Sequence, residues 1–460
     1  MALADTLFLN KKNGAAEADE TLLKAVLDFC EPYKTFLDGS KTEREAVETA
    51  VRLAEEKGYR PFETGKQYAP GEKIYYNNRG KGLILSTIGT ASLAEGVHIV
   101  AAHVDSPRLD LKQCPMYETD GLAYFKTHYY GGIRKYQWPT IPLALHGVFS
   151  MKDGSLVKVN LGEDENDPVL FITDLLPHLG DAQAKRPLYE GIKGEELNIV
   201  IGSFPYKEDG AENQVKLNAL RLLNEKYGIT EADFLSAELE VVPAFKAKDV
   251  GFDRSMIGAY GHDDRVDAYT ALMAELDCSS PYYTTCTILA DKEETGSAGT
   301  AGLHSRYFVH YLQDLAEAYG VNPRELMRKS RCLSADVNAA LDPTFPEVHE
   351  RNNAAFLNCG VCVAKYTGAR GKSGTNDASA EMVGYVRRVL DEAGVVWQTG
   401  ELGKVDQGGG GTVAMYVAEH NIETLDIGVP MLAMHAPYEL VAKFDVYMAN
   451  RAFAAFLAAR

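Results

Sequence analysis

Short, mostly apolar runs that stop abruptly at imidazole and carboxylate residues constrain this chain more than any other feature. Gly82 to Ile88 and Val97 to Ala102 are bounded by glycines and read as strands buried inside an α/β sheet. The second run ends at His103-Val-Asp105-Ser-Pro107. Open α/β sheets place their chemistry at the carboxyl ends of such strands. Further on, Arg265 to Leu276 and Tyr307 to Ala318 have helical periodicity, Thr284 to Ala290 reads as a strand, and further strands are expected near Leu333 and from Thr424 to Ile427. Near the start, Leu22, Leu23, Val26 and Leu27 recur at helical spacing. Thr42 and Glu45 have the form of a capping box ahead of Ala46, Val47, Ala50, Val51 and Ala54, so two amphipathic helices are expected there.

Between roughly Lys112 and Ala244 the texture changes. Leu156 to Val159 alternates, turn signals stand at Asp153-Gly154 and Tyr130-Gly-Gly132, and Glu163 to Asp167 is an acidic loop. The expected fold class is α/β, a mixed central sheet flanked by helices, in a discontinuous domain of residues 1–111 plus 245–460. An inserted β-rich domain occupies 112–244. The 460-residue length accommodates both. Gly408 to Gly411 is the one glycine run.

Composition narrows the partners. A formal charge of −18 repels phosphate backbones and anionic membrane surfaces, which argues against nucleic acid and membrane partners. Met1 to Glu20 lacks an apolar core of signal-peptide length, and the seven cysteines are odd in number and scattered, so a reducing, cytoplasmic setting is expected. Cys359 and Cys362 have C-x-x-C spacing. With no second pair, and with Leu357, Val361 and Val363 beside them, they read as buried strand residues.

Five segments carry the chemistry: His103-Val-Asp105, Gly261-His-Asp263-Asp264-Arg265, Asp291-Lys-Glu293-Glu294-Thr-Gly296, Ser334-Ala-Asp336 and Met434-His435. Singly, each has a bland reading as a hydrogen-bonded histidine, a helix cap or a solvated turn. Together they would bring two histidines and four to six carboxylates to one edge of a parallel sheet, a buried negative charge that only cations can offset. Imidazole and carboxylate in this ratio suit Zn²⁺, with Mn²⁺ or Co²⁺ as alternatives. Five ligands exceed what one open four-coordinate zinc uses, and two divalent ions sharing a carboxylate accommodate them.

These segments, in this order, resemble the co-catalytic metallo-aminopeptidases, most closely the aspartyl aminopeptidase family. The likeness rests on His103-x-Asp105-Ser-Pro107, Asp263 before its helix, Asp291-x-Glu293-Glu294-x-Gly296-Ser297, Ser334-Ala-Asp336 and Leu432-Ala-Met-His435. It implies a co-catalytic zinc exopeptidase fold with an inserted dimerisation and lid domain. It implies two metal ions per subunit, with Asp263 bridging, His103 and Asp336 completing one site, and Glu294 and His435 the other. Glu293 is then the general base for a metal-bridged hydroxide, and Asp105 a carboxylate that orients the His103 ring. Asp264 reads as a helix-start residue and His262 as a loop residue.

The implied substrates are peptides with a free amino terminus. The family favours acidic first residues, which makes Lys372 the candidate specificity cation and Arg370 the second. Ala339 departs from the pattern, in which a histidine often stands three positions after the ligand aspartate. Backbone groups of Gly409 and Gly410, ahead of an expected helix, are candidate donors to substrate carbonyls. In the family the inserted domain pairs subunits and sends a histidine into the neighbour's site. His178 matches that place, with His128 and His146 as alternatives, and the implied assembly is a dodecamer built from dimers. Competing readings are an aminopeptidase of neutral or broad specificity, a related two-metal hydrolase, and a scaffold that keeps the fold for binding alone.

Overall fold

The structure, a computed structural model, describes residues 3, 7–9 and 11–460, so the stretch Met1 to Glu20 that bears on a leader lies partly outside it. The chain divides into two compact units. Met1–Asp105, Ala247–Met434 and Glu439–Arg460 form the first, and Ser106–Lys246 with His435–Tyr438 form the second.

The first unit is built on a nine-stranded mixed sheet. Its order is Arg60–Pro61, Lys73–Asn78, Gly82–Thr87, Thr284–Ala290, Val97–His103, Arg331–Ala335, Glu423–Gly428, Val361–Ala364 and Trp397–Thr399. The middle four neighbours, from Thr284–Ala290 to Glu423–Gly428, run parallel. Antiparallel strands flank them, Gly82–Thr87 on one side and Val361–Ala364 on the other.

Alternation explains why these strands read as continuous apolar runs. Val100 and Ala102 enter a core shared with the helices Glu20–Asp38, Glu43–Glu56 and Lys443–Ala458. Ile99 and Ala101 enter a separate core against the helix Tyr307–Ala318. Both faces of Val97–His103 are therefore covered. The expected capping box is present, with Glu45 N–H donating to Thr42 Oγ1 at 3.3 Å and Thr42 N–H to Glu45 Oε2 at 3.2 Å. A small five-stranded sheet, Lys248–Val250, Met256–Ala259, Glu439–Ala442, Pro430–Leu432 and Asn338–Ala339, completes the unit.

The second unit is a seven-stranded sheet whose pairs are all antiparallel, packed around Phe125, Phe149, Phe234 and the fully buried Trp138. The helix Gln214–Tyr227 lies against it. All seven cysteines are free thiols; Cys362 is buried within the strand Val361–Ala364 and Cys359 is buried just ahead of it. No helix among the described residues is long and apolar enough to cross a membrane.

Candidate metal centre

Strand register brings three of the five segments to one level. His103 pairs with Ala290, one residue before Asp291, and Ala101 pairs with Ser334, so Asp336 leaves its strand level with His103. Not all five segments leave this sheet, as the sequence led us to expect. Gly261 to Arg265 follows Met256–Ala259 and Met434-His435 follows Pro430–Leu432, both strands of the small sheet. Short apolar strands look alike in sequence whichever sheet they join.

Asp263 is held out of helical geometry. Within His262–Asp277 it has φ −80° and ψ 107°, Asp264 has φ −114° and ψ 28°, and the peptide between them is cis. The Asp263 N–H donates to Glu439 Oε2 at 3.2 Å. Its carboxylate Oδ1 stands 3.3 Å from His103 Nε2, with Asp336 Oδ1 and Glu293 Oε2 each 3.9 Å from that nitrogen. One donor atom each from His103, Asp263 and Asp336 lies within 4.8 Å of the others, and the same holds for His103, Glu293 and Glu294. Two ligands of a tetrahedral zinc, each bonded at about 2.0–2.1 Å, stand about 3.3 Å apart, so the donor set fits such an ion.

Hydrogen bonding fixes the His103 tautomer. Its Nδ1 lies 3.0 Å from the Asp105 carbonyl oxygen, which only accepts, so Nδ1 carries a proton and Nε2 is the ring atom that faces the carboxylates. The ring is thus held nearest by the Asp105 carbonyl, with a carboxylate oxygen of the same residue 3.4 Å from Nδ1; that carboxylate accepts from the N–H groups of Glu293 (3.1 Å) and Glu294 (3.2 Å) and so anchors the turn that presents both glutamates. His435, in the second unit, repeats the device. Its Nδ1 donates to the Gly132 carbonyl oxygen at 2.8 Å, and a Cβ on Gly132 would sit 3.2 Å from that nitrogen.

Electrostatics explains why such a cluster calls for cations. Burial alone would push the His103 pKa down, but Asp105, Asp263, Asp264 and Glu293 outweigh it and hold it well above the ordinary value. Burial drives the Asp336 carboxyl well above the carboxylate range, relieved in part by His103 and reinforced by Glu293 and Asp263. Asp264 is raised in the same way, by burial and then Asp267, while burial lifts Asp267 and Asp426 to about 7. Divalent cations are what would let so many convergent carboxyls ionise together.

Asp264 stands at the start of the helix His262–Asp277, as expected, and it also ties that start to a strand: it is fully buried, and its Oδ2 accepts the His103 N–H at 3.2 Å. The expectation for His262 changes, because it is the first residue of that helix and not a loop residue. It is buried, with Nδ1 2.7 Å from the Tyr33 hydroxyl and Nε2 3.1 Å from the Ile257 carbonyl oxygen, and burial lowers its pKa to about 3.

The specificity candidates lie in the loop Gly368 to Gly374. Lys372 Nζ is 2.8 Å from Asp377 Oδ2 and 3.8 Å above the Tyr366 ring, and Arg370 joins Lys372, Tyr366 and Glu401 in lining a cavity of about 210 Å³. Gly409 has φ +112°, and a Cβ there would come within 2.2 Å of the Gly368 carbonyl oxygen, so its missing side chain lets two loops meet. Gly410 has Leu402 as its nearest side chain, and the expected helix beyond is only Ala414–Ala418. In the second unit His178 sits exposed in a turn, His128 is exposed, and His146 is buried with Nε2 3.3 Å from Glu163 Oε1.

Glu439 and Tyr416 carry no mark in the sequence. Glu439 sits in a strand and accepts the Asp263 N–H; the Tyr416 hydroxyl donates to the Gly296 carbonyl oxygen at 3.1 Å. Neither has a local signal, because each acts on a segment more than a hundred residues away.

Residues 36–457 match the family model described as aminopeptidase I zinc metalloprotease (M18). A probable M18 family aminopeptidase 1 from Clostridium acetobutylicum is 48% identical over 99% of this chain and 100% of its own length. The crystal structure of aminopeptidase I from that organism superposes with a TM-score of 0.93 at 46% identity, covering 98% of this chain and 100% of its own. The M18 aminopeptidase structure from Thermotoga maritima gives 0.93 at 42%, covering 98% and 99%.

Proposed function

The chain belongs to the M18 family of metal-dependent aminopeptidases, and from that premise we propose that it removes amino-terminal residues with two divalent ions, zinc by preference, held between His103, Asp263, Asp336, Glu294 and His435. The observation that carries this reading is the convergence of His103, Asp263, Asp336, Glu293 and Glu294 at ligand spacing. Asp263 is the shared carboxylate, His103 and Asp336 complete one site, and Glu294 and His435 the other. Both histidines donate Nδ1–H to a backbone carbonyl, which leaves Nε2 as the ligand atom.

When bound, such ions supply Lewis-acid polarisation of the scissile carbonyl and lower the pKa of water. The chain's own residues do the rest. Glu293, outside the ligand set, takes a proton from the attacking water and returns it to the departing amine. Asp105 holds the backbone of the Glu293 turn, and Asp264 holds the backbone of His103. The carboxylates gathered here would offer acceptors to a substrate's free α-amine, which would restrict cleavage to the first residue. Anomalous scattering at metal edges tests the assignment: two peaks are expected, and a single peak away from Asp263 overturns the shared site.

Acidic first residues are the preferred substrates in this reading, recognised by Lys372 with Arg370 beside it. Lys372→Ala should raise KM for aspartyl and glutamyl p-nitroanilides by about ten- to a hundredfold, in keeping with a charge-assisted bond of about 1.5–3 kcal/mol, and leave leucyl p-nitroanilide nearly unchanged. The ion pair of Lys372 with Asp377 favours the second reading, a neutral or broad preference, because the ammonium already has a counter-charge. Equal KM changes for both substrate classes select that reading.

The second unit is the proposed pairing surface for a homo-oligomer, a dodecamer built from dimers. Leu175, Leu176, Leu179, Leu188 and Tyr189 expose apolar surface around His178, which supports this. His178→Phe should lower kcat/KM roughly tenfold, the scale of one lost hydrogen bond, with no change in mass by light scattering. Wild-type kinetics removes His178 from the site. Free thiols throughout the chain support a cytoplasmic setting.

A further inference from the structure

The turn that presents Glu293 and Glu294 is an unfavourable piece of backbone. Lys292 (φ 70°) and Ser297 (φ 56°) both occupy the left-handed region, with Gly296 at φ 87° between them. Residues with side chains keep that conformation only where their surroundings over-determine it. Internal bonds provide part of the restraint: Gly296 N–H to the Glu293 carbonyl at 2.8 Å and Ser297 N–H to the Lys292 carbonyl at 2.7 Å. Asp105 grips the glutamate end of the turn through two N–H groups.

The glycine end is gripped by Tyr416, whose hydroxyl donates to the Gly296 carbonyl oxygen at 3.1 Å. Tyr416 is itself fixed. It stands in the short helix Ala414–Ala418, and just ahead of it Thr412 Oγ1 donates to Asp426 Oδ1 at 2.7 Å and accepts the Ala414 N–H at 3.3 Å. The Tyr416 ring packs 5.3 Å from the His304 ring, and the His304 N–H donates to the Ser297 carbonyl at 3.1 Å, so Tyr416 meets the turn and its return path together.

We propose that Tyr416 is a positioning residue for the peptidase reaction, holding the far end of the Glu293 turn so that the carboxylate stays where it exchanges a proton with the reacting water. The proposal rests on the reading of Glu293 as general base. Burial and then the charge of Glu293 raise the Tyr416 pKa, which agrees with the two groups being neighbours. Proton transfer depends steeply on distance, and displacement by about an ångström can cost up to about a hundredfold in rate. The Tyr416 hydroxyl bonds to a backbone carbonyl and not to a proposed metal ligand, so binding and turnover separate.

Tyr416→Phe keeps the ring against His304 and removes only the hydrogen bond. In the full-length, metal-loaded enzyme, kcat for aspartyl p-nitroanilide should fall at least about tenfold, while KM, bound metal and thermal midpoint stay near wild type. A kcat within twofold of wild type overturns the proposal, and so does a fall accompanied by lost metal or a lowered midpoint, which marks a role in holding the fold. Combination with Glu293→Asp tests the route. If Tyr416 acts through Glu293, the double variant loses less than the product of the single losses; a simple product overturns it. Glu293→Gln, assayed alongside, reports separately on the general-base reading: retention of activity there refutes that reading, whatever Tyr416→Phe does.

Discussion

Glu293→Gln is expected to lower kcat by about 10²- to 10⁴-fold, the range supplied by a positioned general acid or base, with both metals still bound and KM little changed. Glutamine keeps the size of the side chain, and the N–H that Asp105 accepts from residue 293 is a backbone group, so the turn persists. Only basicity is lost. The substitution also removes one negative charge from a group of carboxyls that repel one another, so the metal-free variant should melt no lower than metal-free wild type. Steady-state kinetics with metal content by mass spectrometry checks this. Activity within about tenfold of wild type, with metal bound, would take Glu293 out of the chemistry.

Asp263→Asn should have the second large effect and the opposite metal signature. If one carboxylate serves both ions, its loss weakens both sites together, and bound metal should fall below one ion per subunit with activity at background. Thermal stability gives an independent readout. A ligand at a hundredfold excess over its Kd adds about 2.7 kcal/mol to stability, so wild type should melt higher with added zinc, whereas Asp263→Asn should not respond. Without metal the effect should be small: a neutral amide at this position relieves repulsion with Asp264 and Asp336 but loses the attraction to His103, so the apo variant should melt close to apo wild type. A variant that retains two ions, or that still gains stability from zinc, shows that Asp263 is not shared.

The strands and helices around the centre are legible because burial on both faces leaves a plain mark in sequence. Val97–His103 and Thr284–Ala290 read as apolar runs ended by polar residues, and Thr42 with Glu45 marks a helix start. Residues that act within a few positions of themselves are also legible, His103 with Asp105 above all. The rest depends on contacts that sequence spacing does not encode. Nothing near Asp264 says that its carboxylate accepts an N–H from residue 103, and nothing near Lys372 distinguishes a waiting cation from one lying against Asp377 and Tyr366. The small sheet escapes a sequence reading for the same reason: Met256–Ala259 and Pro430–Leu432 are too short to declare their partners.

The order of strands in the central sheet also bears on how the chain is made. Val97–His103 lies between Thr284–Ala290 and Arg331–Ala335, so both hydrogen-bonded neighbours are translated long after it. At about 5–20 residues per second, the strand waits on the order of ten seconds or more at the ribosome with both edges unpaired. An apolar strand in that condition is a template for the wrong partner. Yield in the cell should therefore depend on chaperones that occupy nascent chains, and slowing translation between codons 103 and 284 should increase aggregation even though the encoded protein is unchanged. Zinc supplied during synthesis cannot shorten this wait, because Asp336 emerges only after both neighbouring strands.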